Sequence, residues 1–240
     1  MGTLTGTNII DRARLTLQDS SGVRWTDAEL LIYINDAQRE IANIKPDSTA
    51  THLNVQLSTG TEQTLPSGGL RLIKITRNMS GTASDATGSK SIRIVEEDLL
   101  NSIEPDWHDP TVTGSSAHGS IIKNYIFDAD DPKKFYVYPG VASGSSAYVE
   151  LIYSKLPTDL SLVSSTIDIE DTYGNALLNF VLYRAYLKDA EYAGNQQRAG
   201  THFQLFLNSV GAGGSADVIL DPNSDRNAGP TMMPAPGPGV

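Results

Sequence analysis

The chain contains no cysteine. That absence excludes a disulfide-stapled scaffold, a thiol nucleophile, an iron–sulfur site and Cys-ligated zinc. It fits a protein made and assembled in a reducing cytosol. Histidine is sparse, with His52, His108, His118 and His202 alone. No two of them stand at ligand spacing on one helix. Basic residues are also few: 18 Lys+Arg face 28 Asp+Glu, a net charge of −10. Such a balance argues against a primary nucleic-acid binder, because phosphate binding needs clustered Lys and Arg. No run approaches the roughly 18 consecutive apolar residues of a membrane span. The opening residues, Met1 to Ile10, hold neither a basic region nor an apolar signal core. Gly6 stands where a myristoylation pattern needs Ser or Thr. At 240 residues the chain is long enough to bury a core without staples.

What is present falls into blocks of different period. Asn8 to Leu17 reads as a helix with Ile10, Ala13 and Leu17 on one face. A second helix opens at Thr26, an N-cap with Glu29 three residues on, a capping box. Trp25 and Leu30 occupy the hydrophobic-staple positions, and the stripe Leu30, Ile34, Ala37, Ile41, Ile44 follows. Lys45-Pro46 ends it. From Thr51 the period is two. Leu53, Val55 and Leu57 alternate with polar residues, turns fall at Thr59-Gly60 and at 66–69, and Leu70 to Met79 is a longer strand. Residues 80–91 read as an exposed loop, Ile92 and Ile94 as a short strand, 97–104 as a helical turn or two. Ile121–Phe127, Phe135–Tyr138 and Tyr148–Tyr153 are expected to form an antiparallel meander. Residues 157–169 read as a polar connection. Helical period returns over Tyr173 to Tyr192, apolar on most sides, and again after Gly194 with Ala199, Phe203, Phe206 and Val210 on one stripe, ending at Gly211. Residues 229–240 hold four Pro and three Gly. Such a segment cannot bury enough surface to order itself alone.

The expected fold is therefore α+β. Residues 1–50 and 157–210 supply an antiparallel helical bundle, 51–156 an inserted antiparallel β-rich lobe, and 211–240 an extended Pro/Gly-rich tail. No internal repeat is visible.

Motifs for chemistry are weak. The acidic run Asp128-Ala129-Asp130-Asp131 hints at calcium, but Lys133 and Pro139 fall where an EF-hand loop needs Gly and Glu. A hairpin turn explains the run better. The glycines of 211–216 match a dinucleotide pattern formally, yet they follow a helix rather than a strand. No Gly-x-Ser-x-Gly elbow occurs. Carboxylates cluster at Glu96, Glu97 and Asp98 and at Asp106 and Asp109, which a solvated face explains better than a glycosidase pair. Trp107, between acidic residues and two prolines, either stacks on a sugar or locks a loop onto the lobe; the second is favoured. No catalytic, metal or cofactor residue is assigned.

Several segments point further. Arg24-Trp25-Thr26-Asp27-Ala28-Glu29-Leu30-Leu31, the run from Asn35 to Ile41, Leu65 to Ile73, Lys134 to Pro139, and Tyr183 to Tyr192 resemble a family of tailed-phage virion proteins, largely known as a domain of unknown function. It is similar in helix order to phage head-to-tail adaptor (connector) proteins, and the resemblance runs to about residue 210. What it implies is a structural virion protein without enzymatic activity or cofactor. The copies, usually twelve, would form a ring beneath the portal protein, with the tail tube or nozzle protein on the other side. Assembly would take place in the host cytoplasm, without a membrane. DNA would pass through the lumen without specific binding. Val218, Ile219, Leu220, Met232 and Met233 would engage the portal, and Tyr183, Tyr186, Tyr192, Phe203 and Phe206 would lie on helices at subunit contacts. Twelve copies would carry about −120 in sum, which suits a conduit that must not hold phosphates. The competing readings are another tail component and a carbohydrate-binding or glycan-cleaving protein built on Trp107.

Overall fold

The computed structural model describes residues 2–127 and 130–220, the stretch 212–220 by its backbone alone. Among the described residues the chain is mixed α+β, with five α-helices and two four-stranded sheets. Helix α1 (Gly6–Leu17) opens on a full capping box: Thr5 accepts from the Asn8 backbone, and the Asn8 side chain returns the bond to Thr5. Its Gly6 and Thr7 amides reach the carbonyls of Ser165 and Val163 at 3.2 and 2.7 Å. Orphan donors of the first turn are thereby satisfied from a distant segment.

Helix α2 (Asp27–Ile44) starts at the expected cap, with Thr26 accepting from the Glu29 amide. The Glu29 carboxylate goes elsewhere, to Tyr33 Oη at 2.8 Å and Lys188 Nζ at 2.7 Å. A cation and a phenol outbid a single backbone amide for it. Leu30, Ile34, Ala37 and Ile41 are fully buried, while Ile44 is exposed. A 3-10 turn, Pro46–Thr49, then leads into the sheets.

The C-terminal helices differ from the sequence reading at both ends. After the β strands and a short helix α3 (Glu97–Ile103), helix α4 (Gly174–Lys188) stops four residues before Tyr192. Gly194, with φ +88°, turns the chain into α5 (Asn195–Leu220). The expected break at Gly211 is overturned, since α5 runs on through the glycines to Leu220. Each glycine weakens a helix by about 1 kcal/mol relative to alanine, which lowers propensity without forbidding the backbone. Residues 221–240, the remainder of the expected tail, lie outside the described residues.

One apolar core draws on α1, α2, α4 and α5 together, with Ile9, Ile34, Leu177, Val181 and Phe206 among its members. The 157–169 connection is part of it. Leu160, Ile167 and Ile169 are buried there. Asn35 clamps the Leu160 backbone through both N–H and C=O, at 2.9 and 3.1 Å, and Gln38 accepts from the Asp168 amide at 3.0 Å. Periodicity cannot detect such a segment, because its apolar residues follow neither period.

The strands are β1 (Ala50–Gln56), β2 (Gly60–Thr64), β3 (Gly69–Met79), β4 (Gly88–Ser91), β5 (Arg93–Ile94), β6 (Asn124–Phe127), β7 (Lys134–Val141) and β8 (Tyr148–Lys155). They form two sheets of order β1-β8-β3-β4 and β2-β7-β6-β5. The expected meander holds only for β6 and β7; β8 leaves them and pairs with β1 and β3 instead. The β5–β6 pair is parallel. Gly60, read as a turn, begins β2, and the end of the expected 80–91 loop is β4. The reason is burial. Val149, Leu151 and Tyr153 on one sheet face Tyr125, Phe135 and Val137 on the other, and both apolar faces leave water together. A third cluster, Leu100, Trp107, Ile126 and Tyr138, fastens α3 and the loop after it to the second sheet.

Strand β3 shifts register against β8 three times. These bulges bring Arg71, Lys74 and Arg77 opposite Ser154, Ile152 and Glu150, alternate residues of β8. In a regular strand a spacing of three would send them to opposite faces.

Asn78 joins the layers. Buried at 2% exposure, it donates to the carbonyls of Lys90 and Ile122 and accepts from the Ile122 amide. Replacing it by alanine strands the Ile122 groups. Asn78→Ala is expected to lower the unfolding free energy by about 2–4 kcal/mol in urea titrations.

Candidate docking surfaces

The five aromatics expected at subunit contacts sit on or just after α4 and along α5, and they separate by burial. Phe206 is fully buried and Tyr186 is 7% exposed, both within the chain's own core. Phe206 meets Phe180 edge-on at 5.1 Å, and Tyr186 stacks on His202 at 5.6 Å. Burial holds His202 below its ordinary pKa. Tyr183 and Phe203, 4.9 Å apart, are half-buried at the core's margin. Tyr192 is 59% exposed.

Tyr192 belongs to a cluster at the end of the helices away from the sheets. The Arg24 guanidinium lies 4.7 Å from the Tyr192 ring and 5.4 Å from that of Trp25, and it pairs with Asp189. The Asp189 and Tyr192 hydrogen bonds push its pKa further above the ordinary arginine range. Lys188 Nζ reaches the Arg24 carbonyl and Glu29. Burial, then the Glu29 carboxylate, pushes the neighbouring Tyr33 up to about 12. The loop between α1 and α2 is organised by Asp19, which accepts from the amides of Val23, Arg24 and Trp25. Those bonds, the Trp25 amide foremost, hold its carboxyl below the usual range. Around this cluster opens a cleft of about 690 Å³ between Asp19, Trp25, Tyr192 and Arg198. Leu15, on the last turn of α1, and Val23, in the loop before α2, are 80% and 82% exposed. Sequence reading found the cap and the staple here and missed the surface. The available signal was Leu15 and Val23, apolar residues that belong to neither helix stripe.

On the β side the described residues near Trp107 are engaged with one another. Trp107 is 1% exposed, with Nε1 donating to Asn101 at 2.8 Å. His108 Nδ1 meets Thr61 Oγ1 at 2.7 Å, and burial lowers its pKa. His118 Nε2 lies 3.3 Å from the Trp107 carbonyl. Trp107 thus locks the loop and has no free face for a sugar, which removes the basis of the glycan reading. Glu96, Glu97, Asp98, Asp106 and Asp109 are all exposed. No Lys or Arg occurs from 95 to 112, so this face is strongly acidic. Among the described residues no cluster of three metal-ligating side chains occurs. Asp128 and Ala129, half of the run weighed for calcium, lie outside them. No described helix is long and apolar enough to cross a membrane.

The expected portal-binding residues divide. Val218, Ile219 and Leu220 occupy the last turn of α5, their side chains outside the description; Met232 and Met233 lie outside the described residues altogether.

A surface of exposed apolar residues and acids, with no reactive constellation among the described residues, suits a protein that works by contact. The family model described as SU10 adaptor protein matches residues 4–231. The chain belongs to the SU10 adaptor protein family. Membership places this adaptor among structural phage proteins. A comparison with curated proteins finds no match. The matched span covers the helices, both sheets and the residues after α5 as far as Thr231, and stops one residue short of Met232.

Two outcomes are expected. As pH falls through the depressed pKa of Asp19, the Val23, Arg24 and Trp25 amide resonances should move together. The midpoint should lie below 3.8 and be absent in Asp19→Asn. The sign follows from a folded pKa below the unfolded one: the stabilisation is present above the unfolded value and lost on acidification. Trp107→Ala should destabilise by about 3–5 kcal/mol, and neither it nor the wild type should bind a glycan array.

Proposed function

We propose that this chain is a head-to-tail adaptor, forming a ring of about twelve copies between portal protein and tail. The observation that carries the proposal is the adaptor-family match over nearly the whole chain. In this reading α1, α2, α4 and α5 form an antiparallel bundle that builds the ring wall, and residues 51–156 form the lobe inserted into it. Subunit contacts use Tyr192, with Tyr183 and Phe203 at the margin, while Tyr186 and Phe206 support the surface from beneath. The segment after Gly211, including Val218, Ile219, Leu220, Met232 and Met233, engages the portal.

DNA passage asks little of the protein chemically. The conduit must avoid holding phosphates, and a net charge of −10 per copy repels them. The acidic face from Glu96 to Asp109 is suited to line the passage. A channel lined by Lys and Arg would contradict this assignment. No step of bond chemistry is required, and energy enters only through burial of surface between subunits.

The deciding experiment is a native mass measurement of the protein mixed with the portal ring encoded beside it. A complex heavier than the portal by about twelve chains is expected; a portal that stays bare while both proteins are folded overturns portal docking and favours a tail-tube or nozzle role. Removing the residues after Gly211 should leave a folded protein that no longer docks. Unimpaired docking, or unfolding of the shortened chain, contradicts the role given to that segment.

A further inference from the structure

The two sheets leave a seam between them. Strand β5 is an edge strand, paired with β6 on one side only. The Arg93 and Val95 amides point into that pair, reaching the carbonyls of Lys123 and Tyr125. Ile94, between them, therefore projects its own N–H and C=O from the opposite edge. Facing it is the half of β3 that β4 leaves uncovered, since β4 pairs only near Arg77 and Met79. Single backbone bonds pin the seam at its two ends: Ile92 N–H to Thr76 O, and Leu72 N–H to Pro132 O. Between the pins lies a groove of about 360 Å³ walled by Arg71, Ile73, Ile94, Tyr125 and Phe127 and closed by Pro46. Ile73 is 40% exposed and Ile94 61%. Two isoleucines in water beside an unpaired strand edge form a template for an added strand.

The occupant is indicated by the chain itself. Helix α5 runs back along α4, with His202 on Tyr186, Phe203 on Tyr183 and Phe206 on Phe180. It starts beside Arg24 and Trp25, at the end where α2 also starts, and α2 delivers Pro46 to the groove. At 1.5 Å per residue α5 spans about 39 Å against about 27 Å for α2. Its end therefore reaches the level of the sheets. Eleven residues separate Leu220 from Met232, enough for about 40 Å of extended chain. Thr231-Met232-Met233 stands between Pro230 and Pro234. Prolines cannot donate to a ladder, so they limit a strand here to three residues, which matches the two-residue β5. Methionine is unbranched and fills irregular apolar gaps.

We infer that Thr231–Met233 of the same chain adds as a short strand to the free edge of β5, placing a methionine between Ile73, Ile94 and Phe127. The added strand bonds the free N–H and C=O of Ile94 and bridges the two sheets at their open side. This does not depend on the ring or on the portal.

The test uses the full-length free protein with labelled methionine and isoleucine methyl groups. The chain has four methionines, and Met79, buried beside β4, serves as the reference. Nuclear Overhauser contacts are expected from Met232 or Met233 to the Ile73 and Ile94 methyls, with an upfield shift from the Phe127 ring and a protected Ile94 amide. Ile94→Glu, at an exposed position, should abolish all three and leave Met79 unmoved. Thr231→Pro, which removes a backbone donor, should also remove the Ile94 protection. Random-coil methionine positions together with a freely exchanging Ile94 amide overturn the inference. So do contacts that appear only between differently labelled copies, which would give the seam to a second copy. None of these outcomes bears on whether a portal complex forms.

Discussion

The contact on which the structure depends is that between α2 and α4. The α2 stripe is read from residues 30–41, and the helix it meets begins at Gly174. Everything between must leave this contact and return to it. The chain therefore departs through the Pro46–Thr49 turn and comes back through 157–169, and each crossing is fastened by polar bonds as well as burial. Asn35 and Gln38 on α2 hold the returning segment by its backbone, and Asp171 holds the amides of Thr3 and Leu4. Burial supplies the driving force, and these amide and carboxylate bonds set the register.

With the helices closed in this way, the β part is positioned rather than independent. Ser154 on β8 is buried under the 3-10 turn and meets Thr49 Oγ1 at 2.9 Å. The sheet made by β1, β8 and β3 is thus attached directly to the end of α2. The second sheet is tied to the first through Asn78, the shared apolar layer and the two pins of the seam. Its outer side carries α3 and the Trp107 loop, whose acids turn to solvent. The pole with Arg24 and Tyr192, the acidic α3 face and the seam lie on different elements.

Elements with strong local signals were legible without coordinates. Thr26 as cap, the Leu30-to-Ile41 stripe and the Lys45-Pro46 stop each rest on interactions within a few residues, and each appears where periodicity puts it. The Trp107 loop was legible for the same reason, since proline and tryptophan constrain their own neighbourhood. Strand partners were not legible. Alternation in Tyr148 to Tyr153 says which residues face a core but not which sheet supplies it, and the meander failed on that point. Leu160, Ile167 and Ile169 were missed because a connector without period carries no pattern. The aromatics of α4 and α5 were expected at subunit contacts, but a helix apolar all round does not state which side faces its own chain.

Composition and local spacing by themselves determined that this is a cysteine-free, acidic α+β protein with helices at both ends of a β-rich middle. Those properties are additive along the chain or act over a turn. Tertiary structure alone decided that β8 joins β1 and β3 and that Phe206 lies inside while Tyr192 lies outside. It also decided that three bulges align Arg71, Lys74 and Arg77. Each of these depends on which distant surface removes a given side chain from water, and that choice is made by the whole set of contacts at once.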